Sequence, residues 1–286
     1  MNRRDFARTT AMAAAGIAAW GSRAAAALRD HHGLVDTNVS LGRWPFRRLP
    51  LDDTTKLVAK LRQQGATQAW AGSFDAAFGK DIANANAQLA VDCRRFGHGL
   101  LVPFGSVNLA SPEWKPEFWR CLAVHRMPGL RLFPNYHGYK LEAAAFREFL
   151  ALATENKIVV QIATDLEDER TQPASTAVPH VNAGPLVALL EDQPRARVIL
   201  LNWHRAVKPP LVKQLARLGV CFDIATVENV GGVGKLIEEV SVDQVVFGSH
   251  APFFYFDSAR LKLKESALTE TQVASVCELN ARRWFT

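Results

Sequence analysis

The sequence predicts a single-domain (β/α)8 TIM barrel of the α/β class. Eight short apolar runs alternate with stretches of helical periodicity from residue 33 to the end of the chain. These runs lack strict polar alternation, as parallel strands buried on both faces require. The first run leads into Gly42-Arg43-Trp44-Pro45 and carries no GxGxxG turn, which argues against an open, doubly wound sheet. At 286 residues and 48% hydrophobic content, the chain can build one such barrel around a large core.

Residues 1–27 differ in kind. Asn2-Arg3-Arg4-Asp5-Phe6 is followed by an alanine-rich, weakly apolar run and by small residues from Ala24 to Ala27. A basic start, an apolar middle and a small-residue boundary are the parts of an export signal. The paired arginines match the x-R-R-x-F core of the twin-arginine type. The expectation is a signal peptide over 1–27, a barrel over 28–286 and a periplasmic location. No other run is apolar for long enough to span a bilayer.

The remaining segments follow in order. Residues 35–40 form the first strand, whose polar Asp36, Asn38 and Ser40 share one face. Leu57, Val58 and Leu61 recur at helical spacing and Gly65 stops that helix. Strands are expected at 67–71, 100–107, 129–133, 157–163, 196–202, 220–225 and 244–250, with helices at 81–96, 115–126, 141–155, 186–191, 209–218 and 231–240 between them. Residues 165–180, polar and proline-bearing, form a long loop positioned to lean over the barrel mouth. The last helix starts at Thr269, where Gln272 completes a capping box, and runs to about 284. Cysteines 93, 121, 221 and 277 have no close spacing and are expected as small buried residues, or in at most one or two disulfides.

The formal charge of +6 falls to +3 once residues 1–27 are set aside, and the basic residues are scattered. This charge pattern does not suit a nucleic-acid partner. A small-molecule substrate, anionic or lactone-like, is the expected partner, with no membrane association after signal cleavage.

Four strand ends and the C-terminus carry a family resemblance. They are Asp36-Thr37-Asn38-Val39-Ser40, Gln161-Ile162-Ala163-Thr164, Leu200-Leu201-Asn202, Phe247-Gly248-Ser249-His250-Ala251-Pro252 and Asn280-Ala281-Arg282-Arg283. Together they resemble the amidohydrolase-related, metal-dependent TIM-barrel hydrolases. That resemblance implies His-x-His at the end of strand one, histidines ending strands five and six, and an aspartate after strand eight. Here those places hold Asn38 and Ser40, Ala163, Asn202 and His250. Alanine cannot coordinate a metal, and neutral Asn and Ser are poor zinc ligands.

The resemblance and the substitutions together point to a hydrolase of a small ester or lactone that works without a metal or other cofactor. His250 is expected as general base and Arg131 as the group that holds negative charge, with His204 as a further catalytic candidate. Asn38, Ser40, Arg43, Asn202, Asp165, Glu228 and His137 are candidate substrate contacts around the same mouth. Two alternatives stand beside this reading. One is a rearranged zinc site built from His137, His204 and His250. The other is an exported binding barrel that has lost its chemistry.

Overall fold

The computed structural model describes residues 33–168, 170–172 and 177–285. The signal proposed for residues 1–27 lies outside the described residues. Eight parallel strands follow one another around the sheet in chain order: β1 Val35–Leu41, β2 Gln68–Ser73, β3 Leu101–Gly105, β4 Gly129–Leu132, β5 Val159–Ala163, β6 Arg197–Leu201, β7 Cys221–Asp223 and β8 Val245–Val246. The barrel closes where the chain after β8 meets β1. Thr37 N–H donates to the Phe247 carbonyl and Ser40 N–H to that of Ala251, both at 2.9 Å. This is the (β/α)8 barrel that the alternating pattern predicts.

Helices α1 Thr54–Gln63, α2 Phe74–Phe78, α3 Ile82–Gly97, α4 Trp114–Ala123, α5 Pro134–His137 and α6 Ala144–Glu155 flank the first half. The second half carries α7 Leu186–Asp192, α8 Pro209–Arg217, α9 Gly232–Val240, α10 Phe256–Glu265 and α11 Glu270–Ala274. Local chemistry sets several starts. Asp53 and Asp81 accept the backbone N–H groups of Lys56 and Asn84. The Thr269–Gln272 capping box forms as expected, and the helix continues through a π-helical turn at Ser275–Leu279. The four cysteines are free and buried, so the disulfide alternative is corrected. Each sits against core side chains, with no other cysteine in reach.

Inside the barrel the side chains form three tiers. At the bottom Val35, Trp70, Phe104, Val159, Ile199 and Val246 pack as an apolar plug, closed from below by Trp284 and Phe285. A polar tier lies above it, and over that is an aromatic cap of Trp44, Phe74, Phe133 and Phe253. The strand predicted at 244–250 is regular only over Val245–Val246. The chain turns away at His250, whose backbone is left-handed (φ 57°), as is that of Asn202 beyond β6 (φ 56°).

Candidate active site

The polar tier begins with Arg131, which projects from β4 into the barrel and is 1% exposed. Its Nε donates to Gln161 Oε1 (2.8 Å). Nη1 donates to the Val39 carbonyl (2.8 Å) and Ser40 Oγ (3.3 Å), and Nη2 to the carbonyls of Trp70 (3.0 Å) and Thr37 (3.3 Å). All five guanidinium N–H groups therefore have partners. A register shift in β1 between Asp36 and Val39 turns the Thr37 and Val39 carbonyls toward the arginine. Gly72 makes room as well, since a Cβ there would lie 2.8 Å from Nη1. The expectation of Arg131 as a substrate anion clamp is corrected: its donors are spent on β1, β2 and β5, below the mouth.

Four side chains sit at the ends of β1, β6, β7 and β8. Asn38 Nδ2 donates to Asp223 Oδ2 (2.7 Å) and Asn202 Oδ1 (2.9 Å), and Asn202 N–H donates to Asp223 Oδ1 (3.0 Å). Asn202 Nδ2 reaches the Asp165 carbonyl at 2.7 Å and approaches His250 Nδ1 at 3.5 Å. His250 Nε2 donates to the Leu166 carbonyl (2.8 Å), so Asp165 and Leu166, at the start of the loop, lie over the mouth. The imidazole is stacked on Phe253, with ring centroids 4.9 Å apart.

Burial controls the protonation of this tier. It raises Asp223 to about 7, although the Asn38 and Asn202 donors pull the other way. It raises Asp36 to about 6, against hydrogen bonds from Ser249 and Asn38. It lowers His250 to about 4, helped by the Arg131 and Lys262 cations, so at neutral pH this imidazole is uncharged and weakly basic. Burial also lowers Arg131 to about 10, which leaves it charged at pH 7.

The other predicted residues disperse. His204 packs edge-on against Trp203 and opens onto a cleft between α8 and α9. His137 Nε2 is tied to the Ala76 carbonyl (2.8 Å) beside α2. With His250 sealed beneath Phe253, the rearranged zinc site of His137, His204 and His250 is not assembled. Among the described residues no three His, Cys, Asp or Glu side chains gather as a metal site. The family positions do not suit a metal either, because Arg131 places a cation 3.3 Å from Ser40 Oγ. Arg43 is exposed. Its neighbour Arg47 pairs with Glu167, and Trp44 packs on Phe253, which makes this loop part of the cap. Glu228 pairs with Arg205 (2.8 Å).

A different pair lies outside this network. His180 Nδ1 lies 2.6 Å from Asp165 Oδ1. Both residues line a cavity of about 20 Å3 together with Asn202, Arg205, His250 and Phe254. His180 is also a wall of a neighbouring cleft of about 190 Å3, lined by Asn135, Tyr139, Lys140 and Asn182. The Tyr139 hydroxyl is buried without a hydrogen-bond partner, and burial raises its pKa, keeping it a neutral donor. His180, Tyr139, Arg205 and Asp223 were not singled out from the sequence. Three of them lie on loops away from the strand ends where family motifs fall, while Asp223 was hidden in an apolar strand end.

The amidohydrolase family model matches residues 31–286. This chain belongs to the amidohydrolase family. Solved structures agree on the fold of the amidohydrolase barrel. A 2,6-dihydroxybenzoate decarboxylase from Rhizobium superimposes with a TM-score of 0.70 at 13% identity, covering 88% of this chain and 98% of its own. A 5-carboxyvanillate decarboxylase from Sphingomonas paucimobilis gives 0.69 at 15% identity, with 88% and 98% covered. A dihydroxybenzoic acid decarboxylase from Polaromonas, with bound manganese, gives 0.69 at 14%, with 88% and 96% covered. No curated protein matches this chain by sequence.

Proposed function

We propose that this amidohydrolase barrel hydrolyses a small ester or lactone without a metal, and that the Asp165–His180 pair is its proton-transfer group. The observation that carries the reading is the position of His180. It is the wall shared by a water-sized cavity and a substrate-sized cleft, and its Nδ1 is held 2.6 Å from a carboxylate. A cavity of about 20 Å3 has room for one water. His180 takes a proton from that water as it adds to the acyl carbon, and Asp165 fixes the imidazole and stabilises its charged form. The C–O bond then breaks, and the imidazolium returns its proton to the leaving oxygen. Arg205, braced by Asp168 and Glu228, supplies positive charge at the cavity lip.

His250 contributes as a neutral wall of the same cavity. With a pKa of about 4 it is a weak base at neutral pH. Low-barrier acyl groups suit this site, since the water receives no Lewis-acid activation. The fold relatives named above include decarboxylases of aromatic acids, so hydroxybenzoate esters belong in the substrate panel.

The test is a panel of lactones, aryl esters and hydroxybenzoates assayed with the purified protein. His180→Gln is expected to lower kcat/KM by roughly 10²–10⁴-fold. Unchanged turnover in that variant would remove the pair from the reaction. A second reading is favoured by the aromatic cap, which fills the mouth where Phe253 stacks on His250 and Trp44 packs on Phe253. On that reading the barrel binds a ligand without turning it over, and the panel yields saturable binding with no product.

A further inference from the structure

One opening that the proposed chemistry leaves unused lies between α8 and α9, a cleft of about 310 Å3. Its floor is apolar and rigid, formed by Trp203, Val227 and Leu236. Its rim is polar, with His204, Lys208 and Lys235 facing a single acid, Glu239. A cleft of this size, apolar below and with a few converging polar groups above, has the form of a small-molecule site.

The charges on the rim select the ligand. Two lysines against one glutamate leave a net positive edge, and both flanking helices begin there. Lys208 is the N-cap of α8 and Gly231 that of α9, and neither cap donates or accepts through a side chain. The partial positive charge of these two helix starts adds to the lysines. His204 adds a hydrogen-bonding group. Its backbone N–H is fixed to Thr226 Oγ1 (3.3 Å), but its ring nitrogens have no hydrogen bond among the described residues. The half-buried ring therefore stands at the cleft with its polar atoms available. Gly232 keeps the opening in shape, because a Cβ there would lie 2.7 Å from Val227 Cγ1 and push the loop off the floor.

We propose that this cleft is a second ligand site, for a small carboxylate carried on a compact aryl or branched alkyl body. The apolar body lies on Trp203 and Leu236, and the carboxylate accepts from Lys208, Lys235 and His204. The site is connected to the barrel end: Trp203 Nε1 donates to the Asp223 carbonyl at 2.9 Å. A ligand that presses on Trp203 thus touches the strand whose carboxyl holds Asn38 and Asn202.

The probes are benzoate, cyclohexanecarboxylate and inorganic phosphate, titrated separately into the full chain at pH 7 by calorimetry. Trp203 indole N–H is followed by NMR, its resonance assigned with Trp203→Phe. One saturable site for the two carboxylates is expected, with the Trp203 resonance shifting along the same isotherm. The exposed pair Lys208→Glu and Lys235→Glu should weaken it about tenfold or more, while His180→Gln, which does not line this cleft, leaves it intact. Absence of saturable carboxylate binding would overturn the proposal. Binding unchanged by the two charge reversals would also overturn it, as would binding lost with His180→Gln. Phosphate binding as tightly as benzoate would remove the apolar-body requirement and overturn the assigned ligand class. Circular dichroism of each variant confirms that it is folded.

Discussion

Asn38 Nδ2 lies 2.7 Å from Asp223 Oδ2, so the residue at the family's first metal-ligand position is a donor bound to a buried carboxyl. A histidine there would offer a lone pair to a cation. The asparagine offers two N–H groups and spends both, on Asp223 and Asn202. The end of the barrel is thus a closed hydrogen-bond network on top of a buried arginine. That network shapes the stability predictions, and the proposed chemistry is placed outside it, at His180.

The pH dependence of folding follows from three buried groups. Asp36 and Asp223 have folded pKa values raised from 3.8 to about 6 and about 7. Their contributions are fully present below about pH 3.8 and are lost as pH rises through the folded values. His250 is lowered from 6.5 to about 4, so its contribution is present above 6.5 and lost as pH falls toward 4. Between pH 4 and 6 two falling terms outweigh one rising term, and up to about 7 Asp223 alone still falls. Urea midpoints should therefore decrease from pH 5 to pH 7, and Asp223→Asn should flatten that decrease. An equally steep decrease in the variant would contradict the assignment.

Arg131→Ala should destabilise by about 3–5 kcal/mol, because it leaves Gln161 Oε1 and the buried carbonyls of Thr37, Val39 and Trp70 without their donor. Its removal should not change the preference among anionic and neutral substrates, since no guanidinium N–H is free for them. Denaturant unfolding measures the first point and a comparison of KM values the second.

Tyr139→Phe tests the role of a buried hydroxyl. The buried hydroxyl has no protein partner, so its removal should leave stability unchanged or raise it by about 1 kcal/mol. Because the hydroxyl is sealed from the cleft, the same change should leave kcat and KM little altered. Loss of both stability and activity would mean that the hydroxyl has a structural role.

Gly129→Ala tests the packing of the barrel floor. A Cβ at this position would lie 2.1 Å from the Phe104 ring. The substitution should cost about 1–3 kcal/mol or more, read from the thermal midpoint.

Much of this was legible in the sequence. Parallel strands buried on both faces leave continuous apolar runs, such as Val198-Ile199-Leu200-Leu201, which mark themselves. The capping box at Thr269 works through local hydrogen bonds, and it too was readable. Arg131 was misread because strand position alone sets it at the mouth. Its true partners are carbonyls exposed by an irregularity in β1 and reached through the gap at Gly72. His180 was overlooked for a related reason: fifteen residues separate it from Asp165, and only the folded loop closes that distance.

Residues 1–27 carry a separate proposal, export by the twin-arginine route. Replacing Arg3 and Arg4 by lysine should leave unprocessed precursor in the cytoplasm, as seen by fractionation and mass spectrometry. Normal processing of the double variant would count against it.

The most direct test of the central claim is the hydrolysis rate of the purified protein on its best lactone or ester, measured before and after exhaustive chelation. The side chains at the mouth predict an unchanged rate, with no gain on adding zinc or manganese. A rate that collapses on chelation and returns with either metal would contradict a reaction run by His180 and Asp165.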